Sequence, residues 1–468
     1  MWKNLQHRIQ VQQFVERNHS EKPTLSANLP AVAIALPLAG YRYVAGQSEE
    51  IEDQIRSVKS IEIQHPFYVP KILGIHQSWR HSPDRKCKIR YITTIVQPAE
   101  TLRVVSQVRA RPEYFPALTG LRFFLALWVI LHHLVGKGMM LDLWNQSLPY
   151  AARTFIEQGH VAVRTFFVLS GFVLAQGYAF SRWKRADLMA YGVARFSRIY
   201  PVYVLSLLIV AYFILEFLLS PATGAGGKLA AVAEYGLVLQ GWMPDSGAGW
   251  NTPAWSLSCE FFFYLCLPPL LMWLGQRSRT KLLVLIAAAL VLPLLLRRLG
   301  VPLTWKPILH LGDFVVGIAA ARIYSMARSS RIGLLRRGYR LYLPAIAIGA
   351  LLIVFPDVLP GLTDLGTALR PLNGMLVVGL ALGGGVLARF LSTGTAQYLG
   401  QISYSMYILH VPLLWWFGNR GPALIGNLQA GMALIYIVGI VLISAAAFEW
   451  VEKPANRRIR DWTRRRLR

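Results

Sequence analysis

Residues 114–136, YFPALTGLRFFLALWVILHHLVG, form an apolar run long enough to cross a bilayer, yet the run carries Arg122 and His133. An ionisable group inside a membrane span is expensive, so the pair demands a purpose. Eleven residues at about 100° each return the second side chain to nearly the same helix face as the first, roughly 16 Å further along. One face of this helix therefore holds a cation near one end and an imidazole near the other, with His132 beside it.

Further apolar runs follow quickly. Spans are expected at about 115–136, 160–181, 200–219, 254–275, 282–298, 305–326, 341–356, 372–391, 398–417 and 428–450. Of the 468 residues only 15% are charged and 54% are hydrophobic, whereas a soluble protein carries about 25% charged residues. The expected fold is an all-α polytopic membrane bundle of about ten transmembrane helices. The segment 229–243 is shorter and less apolar, which suits an interfacial or re-entrant helix better than a crossing.

The net charge of +26 would suit nucleic acid, but the cations lie between spans rather than on a soluble domain. They gather in alternate loops: Arg182, Lys184, Arg185, Arg195 and Arg198; then Arg277, Arg279 and Lys281; then Arg328, Arg331, Arg336, Arg337 and Arg340; then the tail from Lys453 to Arg468. The positive-inside bias places these loops and both termini in the cytoplasm. Arg122 then lies in the inner half of its span and His133 towards the outer end.

Residues 1–113 mix charge, proline and short apolar runs, and are expected to be a poorly ordered or mis-started extension. Their first residues lack the apolar core of a signal peptide. The spanning domain is set at 114–455, followed by a basic cytoplasmic tail, 456–468. Cys87, Cys259 and Cys266 form no CxxC pair, and no metal site is expected.

Several motifs fall in order along the spanning part: LTGLRFFLALWVILHH, FFVLSGFVL (166–174), RFSRIYPVY (195–203), WSLSCEFFFY (255–264), YLGQISYSMYILHVPLL (398–414) and FEWVEKP (448–454). Together they resemble the acyltransferase-3 family, integral membrane O-acyltransferases of bacterial polysaccharides, peptidoglycan and related acceptors. The resemblance covers roughly 112–455. It implies a bacterial inner-membrane enzyme that moves an acetyl group from acetyl-CoA, or another acyl-CoA, to a carbohydrate-containing or lipid-linked glycan acceptor, without a metal. The family's Arg-x10-His motif falls on Arg122 and His133, and its RxxR motif on Arg195 and Arg198.

Physical chemistry agrees with that assignment. Acyl-CoA is polyanionic, and guanidinium groups bind phosphate through paired charge-assisted hydrogen bonds. Glu260 in WSLSCE needs a partner in the membrane, and a carboxylate beside His133 would orient the imidazole as a general base. A shared Glu260–His133 pocket is the expectation, with an acyl-histidine intermediate as the competing route. Asp313 and His410 sit in apolar spans as candidates for a substrate pocket or for helix-to-helix bonds. Trp255 suits an interfacial belt or sugar stacking. Gly171 suits close helix approach, and Glu449 and Glu452 are expected to pair with the basic tail. A transporter or flippase is the alternative class, since buried charges also mark transport paths.

Overall fold

The computed structural model describes residues 113–466 apart from short stretches at 138, 179–182, 244–248, 276–277, 301–304, 330–336, 356–364 and 426–428, together with four short strands earlier in the chain. The expected disorder of 1–113 falls largely outside the described residues, as do Cys87, Arg182, Arg277, Arg331 and Arg336. The chain divides into two units, Met1–Arg111 and Pro112–Arg468. The described part of the first is two antiparallel hairpins, in which Val32 faces Ala45 and His76 faces Ile92. Within the second unit every described element is helical.

Ten helices of this unit overlap the expected spans, the eighth ending at Leu382 rather than 391 because Gly383, Gly384 and Gly385 break it at positive φ. The ten are α1 (Pro116–Val135), α2 (Ala162–Tyr178), α3 (Arg185–Ile209), α4 (Trp255–Leu274), α5 (Arg279–Arg298), α6 (Lys306–Ser329), α7 (Tyr339–Val354), α8 (Leu365–Leu382), α9 (Gly394–Ile425) and α10 (Gln429–Ala447). Eight of the described helices are long and apolar enough to cross a membrane, and α7 is a shorter apolar one. Their outward faces carry Leu265, Leu283, Val291, Leu434 and Leu442, all well exposed. An apolar exterior around a partly polar interior is what lipid as a solvent requires.

Departures from the expected boundaries have local causes. The third span begins at Arg185 rather than near 200, because the Arg195/Arg198 segment is amphipathic and continues the helix; it breaks at Val210, and a nine-residue helix, Ala211–Leu219, follows. The helix Ala225–Gly236, which overlaps the first half of 229–243, has 12 residues, about 18 Å at 1.5 Å per residue, too short for a crossing. Beyond α10 a π turn, Phe448–Glu452, leads into the basic α11 (Lys453–Arg466).

Several pairs of helices approach backbone to backbone, among them α1 with α9 and α2 with α6. A Cβ built on Gly400 of α9 would stand 1.8 Å from the Thr119 carbonyl oxygen of α1. One on Gly171 of α2 would stand 2.1 Å from the Phe314 oxygen of α6, and one on Gly317 of α6 equally close to the Val168 oxygen. Small residues at such crossings let helices dock where lipid supplies no hydrophobic drive. Gly400→Ala is therefore expected to destabilise the α1–α9 pair by about 1–3 kcal/mol, the usual range for overpacking. Thermal unfolding in detergent checks this, and an unchanged midpoint would contradict the close contact.

Candidate active site

Helices α1 and α9 run in the same direction, with Thr119 and Gly120 beside Gly400 at one end and His133 beside His410 at the other. Two polar clusters occupy the two ends of α1.

At the Arg122 end, α3 supplies Arg195 and Arg198, α4 supplies Glu260 and Tyr264, α9 supplies Tyr404 and Ser405, and the π turn supplies Glu452. Arg122 lies within electrostatic reach of Arg198, Glu452 and Glu260. The Tyr264 hydroxyl donates to the Glu260 carboxylate at 2.9 Å, and Tyr191 donates to the Tyr264 carbonyl at 3.1 Å. The Arg195 guanidinium lies 5.9 Å from the Tyr264 ring centre, a cation–π contact that leaves its buried Nε without a hydrogen-bond partner. Three guanidinium groups thus face two carboxylates.

Glu452 corrects its sequence expectation. It is 5% exposed and accepts a hydrogen bond from Ser405 at 3.0 Å, whereas Glu449 does pair with Lys453 at 2.9 Å. A π turn inserts an extra residue per turn. That shifts the helix face by roughly one residue and turns Glu452 inward while Glu449 stays on the tail side.

At the other end of α1 stand histidines. His133 Nδ1 lies 3.0 Å from the Val129 carbonyl oxygen and 3.3 Å from Nε2 of His410. His410 is fully buried, and its Nδ1 lies 2.6 Å from the Tyr407 carbonyl oxygen. His132 and His160 extend the cluster, with ring centres 5.6 Å apart. His133 itself is half-buried.

The structure does not join Glu260 to His133. Among the described residues Glu260 takes its hydrogen bond from Tyr264, and the side chain bonded to His133 is His410. The geometry of α4 explains this. Trp255 opens the helix two residues after Pro253, whose carbonyl accepts from Tyr407 one turn of α9 before His410, and five further residues at 1.5 Å carry Glu260 about 7.5 Å further from the histidines, within electrostatic reach of Arg122.

Asp313 is also engaged elsewhere. Its carboxylate is 0% exposed, accepts from Arg370 Nε at 2.7 Å and lies 3.2 Å from His310 Nδ1. The remaining Arg370 nitrogens donate to the carbonyls of Ala289 and Leu309 at 3.1 and 3.0 Å. This network ties α5, α6 and α8 together. Trp255 borders it, with its ring centre 5.2 Å from that of His310 and Lys306 Nζ 4.9 Å from the indole.

Arg370, His310, Tyr264 and the inward turn of Glu452 are not among the features that the sequence alone brings to the site. An arginine inside the apolar run LGTALRPLNGML was a usable signal by the cost of a charge in lipid. The π turn left no such mark.

Comparison with known proteins gives a consistent result. A family profile described as an acyltransferase domain matches residues 115–449. The chain is similar to the acyltransferase MdmB of Streptomyces mycarofaciens, 31% identical over 334 residues, 65% of this chain and 80% of that protein. It is also similar to the O-acetyltransferase OatA of Staphylococcus aureus, 22% identical over 74% of this chain and 58% of that protein. The peptidoglycan O-acetyltransferase OatA of Listeria monocytogenes is 24% identical, over 74% of this chain and 56% of its own length. The match thus spans little more than half of the OatA proteins. No solved structure matches the chain.

Proposed function

This chain belongs to the acyltransferase-3 family, and from that premise we propose that it transfers an acyl group, typically acetyl, from cytoplasmic acyl-CoA to a hydroxyl of a carbohydrate-containing acceptor. The chain is a multi-pass membrane acyltransferase; the bacterial inner membrane as its location, with both termini cytoplasmic, is part of the proposal. The observation that carries it is the buried Arg195 Nε without a partner, beside Arg122 and Arg198 in a cluster with more guanidinium groups than carboxylates. Such a surplus suits a polyanionic donor, whose phosphates would be held by Arg195 and Arg198. The name of the Listeria relative supports a glycan acceptor.

The donor's thioester would reach along the Arg122 face of α1 towards His133, roughly 16 Å away. There His133 takes the proton of the acceptor hydroxyl while that oxygen bonds to the thioester carbonyl carbon. The carbon–sulfur bond then breaks and the thiolate leaves, taking up a proton as the thiol. Glu260 and Arg122 are assigned to the donor end: Glu260, bonded by Tyr264, balances and orients Arg122. Trp255, near the histidine level, is assigned to the acceptor side.

Mass spectrometry of envelope glycans tests the function. A deletion strain is expected to lose an O-acyl group that returns with the wild-type gene, and identical spectra in both strains would reject these glycans as acceptors. The donor site has its own measurement. Arg195→Ala/Arg198→Ala is expected to raise KM for acetyl-CoA about 10- to 100-fold, the scale of losing one or two charge-assisted hydrogen bonds. An unchanged KM would place the donor elsewhere.

A further inference from the structure

We infer that His410 is the positioning residue that locks His133 in a single tautomer, with the proton on Nδ1 and a bare Nε2. The inference deepens the proposed role of His133 as base and rests on two backbone carbonyls.

A carbonyl oxygen only accepts. His410 Nδ1 stands 2.6 Å from the Tyr407 oxygen, so that nitrogen carries the proton. A neutral imidazole has one N–H, so Nε2 of His410 is a lone pair. That lone pair faces His133 Nδ1 at 3.3 Å. Two lone pairs do not face each other across such a gap, so His133 Nδ1 carries a proton. The second carbonyl demands the same: Val129 oxygen lies 3.0 Å from His133 Nδ1. One N–H, shared between His410 and Val129, satisfies both acceptors. His133 Nε2 is thereby left without a proton, and it bonds no described residue.

Charged alternatives fail for lack of a counter-ion. Among the described residues no carboxylate hydrogen-bonds either ring, and His410 is entirely enclosed. A buried imidazolium there would be uncompensated. The order of donors is thus fixed from Tyr407 outward, and it reverses the tautomer that dominates for free histidine in water. His410 touches no reacting atom. When His133 Nε2 takes a proton, its Nδ1–H keeps the His410 lone pair as acceptor, and this holds the ring in place through turnover. Tyr436 secures the same helix turn by donating to the His410 carbonyl.

The test is nitrogen-15 NMR of the full chain in lipid nanodiscs with labelled histidine, His133→Ala and His410→Ala serving to assign signals. The wild type is expected to show protonated Nδ1 and imine-type Nε2 on both residues. His410→Gln, whose amide oxygen can accept in place of Nε2, should keep the His133 tautomer pure, and His410→Leu, which leaves only the Val129 carbonyl to hold Nδ1–H, should admit a readily detected Nε2–H fraction. In parallel, kcat should fall about 10- to 100-fold in His410→Leu with donor KM within about twofold, and Gln should recover most of the loss. A proton on His133 Nε2 in the wild type, or a His133 tautomer unmoved by His410→Leu, would overturn the inference. If the Leu variant admits the Nε2–H fraction but keeps its turnover, the positioning stands and the base assignment of His133 fails instead.

Discussion

Replacing His133 with alanine is expected to lower acyl transfer about 10²- to 10⁴-fold, the contribution usual for a positioned general base. The loss should fall on kcat. Acyl-CoA binding is assigned to the arginine end of α1, some 16 Å away by helix rise, so donor KM should hardly move. The side chain is half-buried and bonds only Val129 and His410 among the described residues, so abundance and thermal midpoint should stay near wild type. An assay with purified protein in vesicles, scored for turnover and donor KM, decides the matter. Activity retained within a few-fold would remove His133 from the chemistry and leave the family assignment untouched.

Asp313→Ala is expected to act on stability rather than on the chemical step. It removes the carboxylate paired with Arg370, which is 1% exposed. Breaking a buried pair from one side costs about 3–5 kcal/mol, because the remaining charge is left in a low-dielectric interior. The partners of Arg370 show why it cannot escape: its other nitrogens are already bonded to Ala289 and Leu309. Thermal unfolding of the single variant should show a large drop. Asp313→Leu/Arg370→Met should regain most of it, since an apolar pair of similar volume suits the site. A single variant within about 1 kcal/mol of wild type, which is the scale of an exposed pair, would mean the network does not hold the three helices.

Span positions were legible in the sequence because lipid tolerates few residue types, and runs such as LLVLIAAALVLPLLL leave little choice. The site was legible on single helices only. Arg122 and His133 share one face by their spacing, and Arg195 and Arg198 are one turn apart. Partnerships between helices were not. His133 and His410 lie 277 residues apart, and no local pattern links them. Glu260 was expected at the histidine level because its motif opens a span from the outer side, but five residues of rise move it to the arginines. Glu449 and Glu452 look equivalent as letters, and one π turn separates their environments.

The stretch of α1 between its two ends has a consequence for the cell's energy economy. From Phe123 to Leu131 the helix offers Leu125, Ala126, Val129 and Ile130, all buried, and the single polar side-chain atom there, the Trp128 indole nitrogen, is already committed to the Phe155 carbonyl. Protons cross membranes along files of polar groups or water. A helix with an arginine near one face of the bilayer and a histidine near the other would short-circuit a proton gradient if such a file joined them. This stretch of α1 supplies no rung of its own between the arginine cluster and the neutral histidine pair.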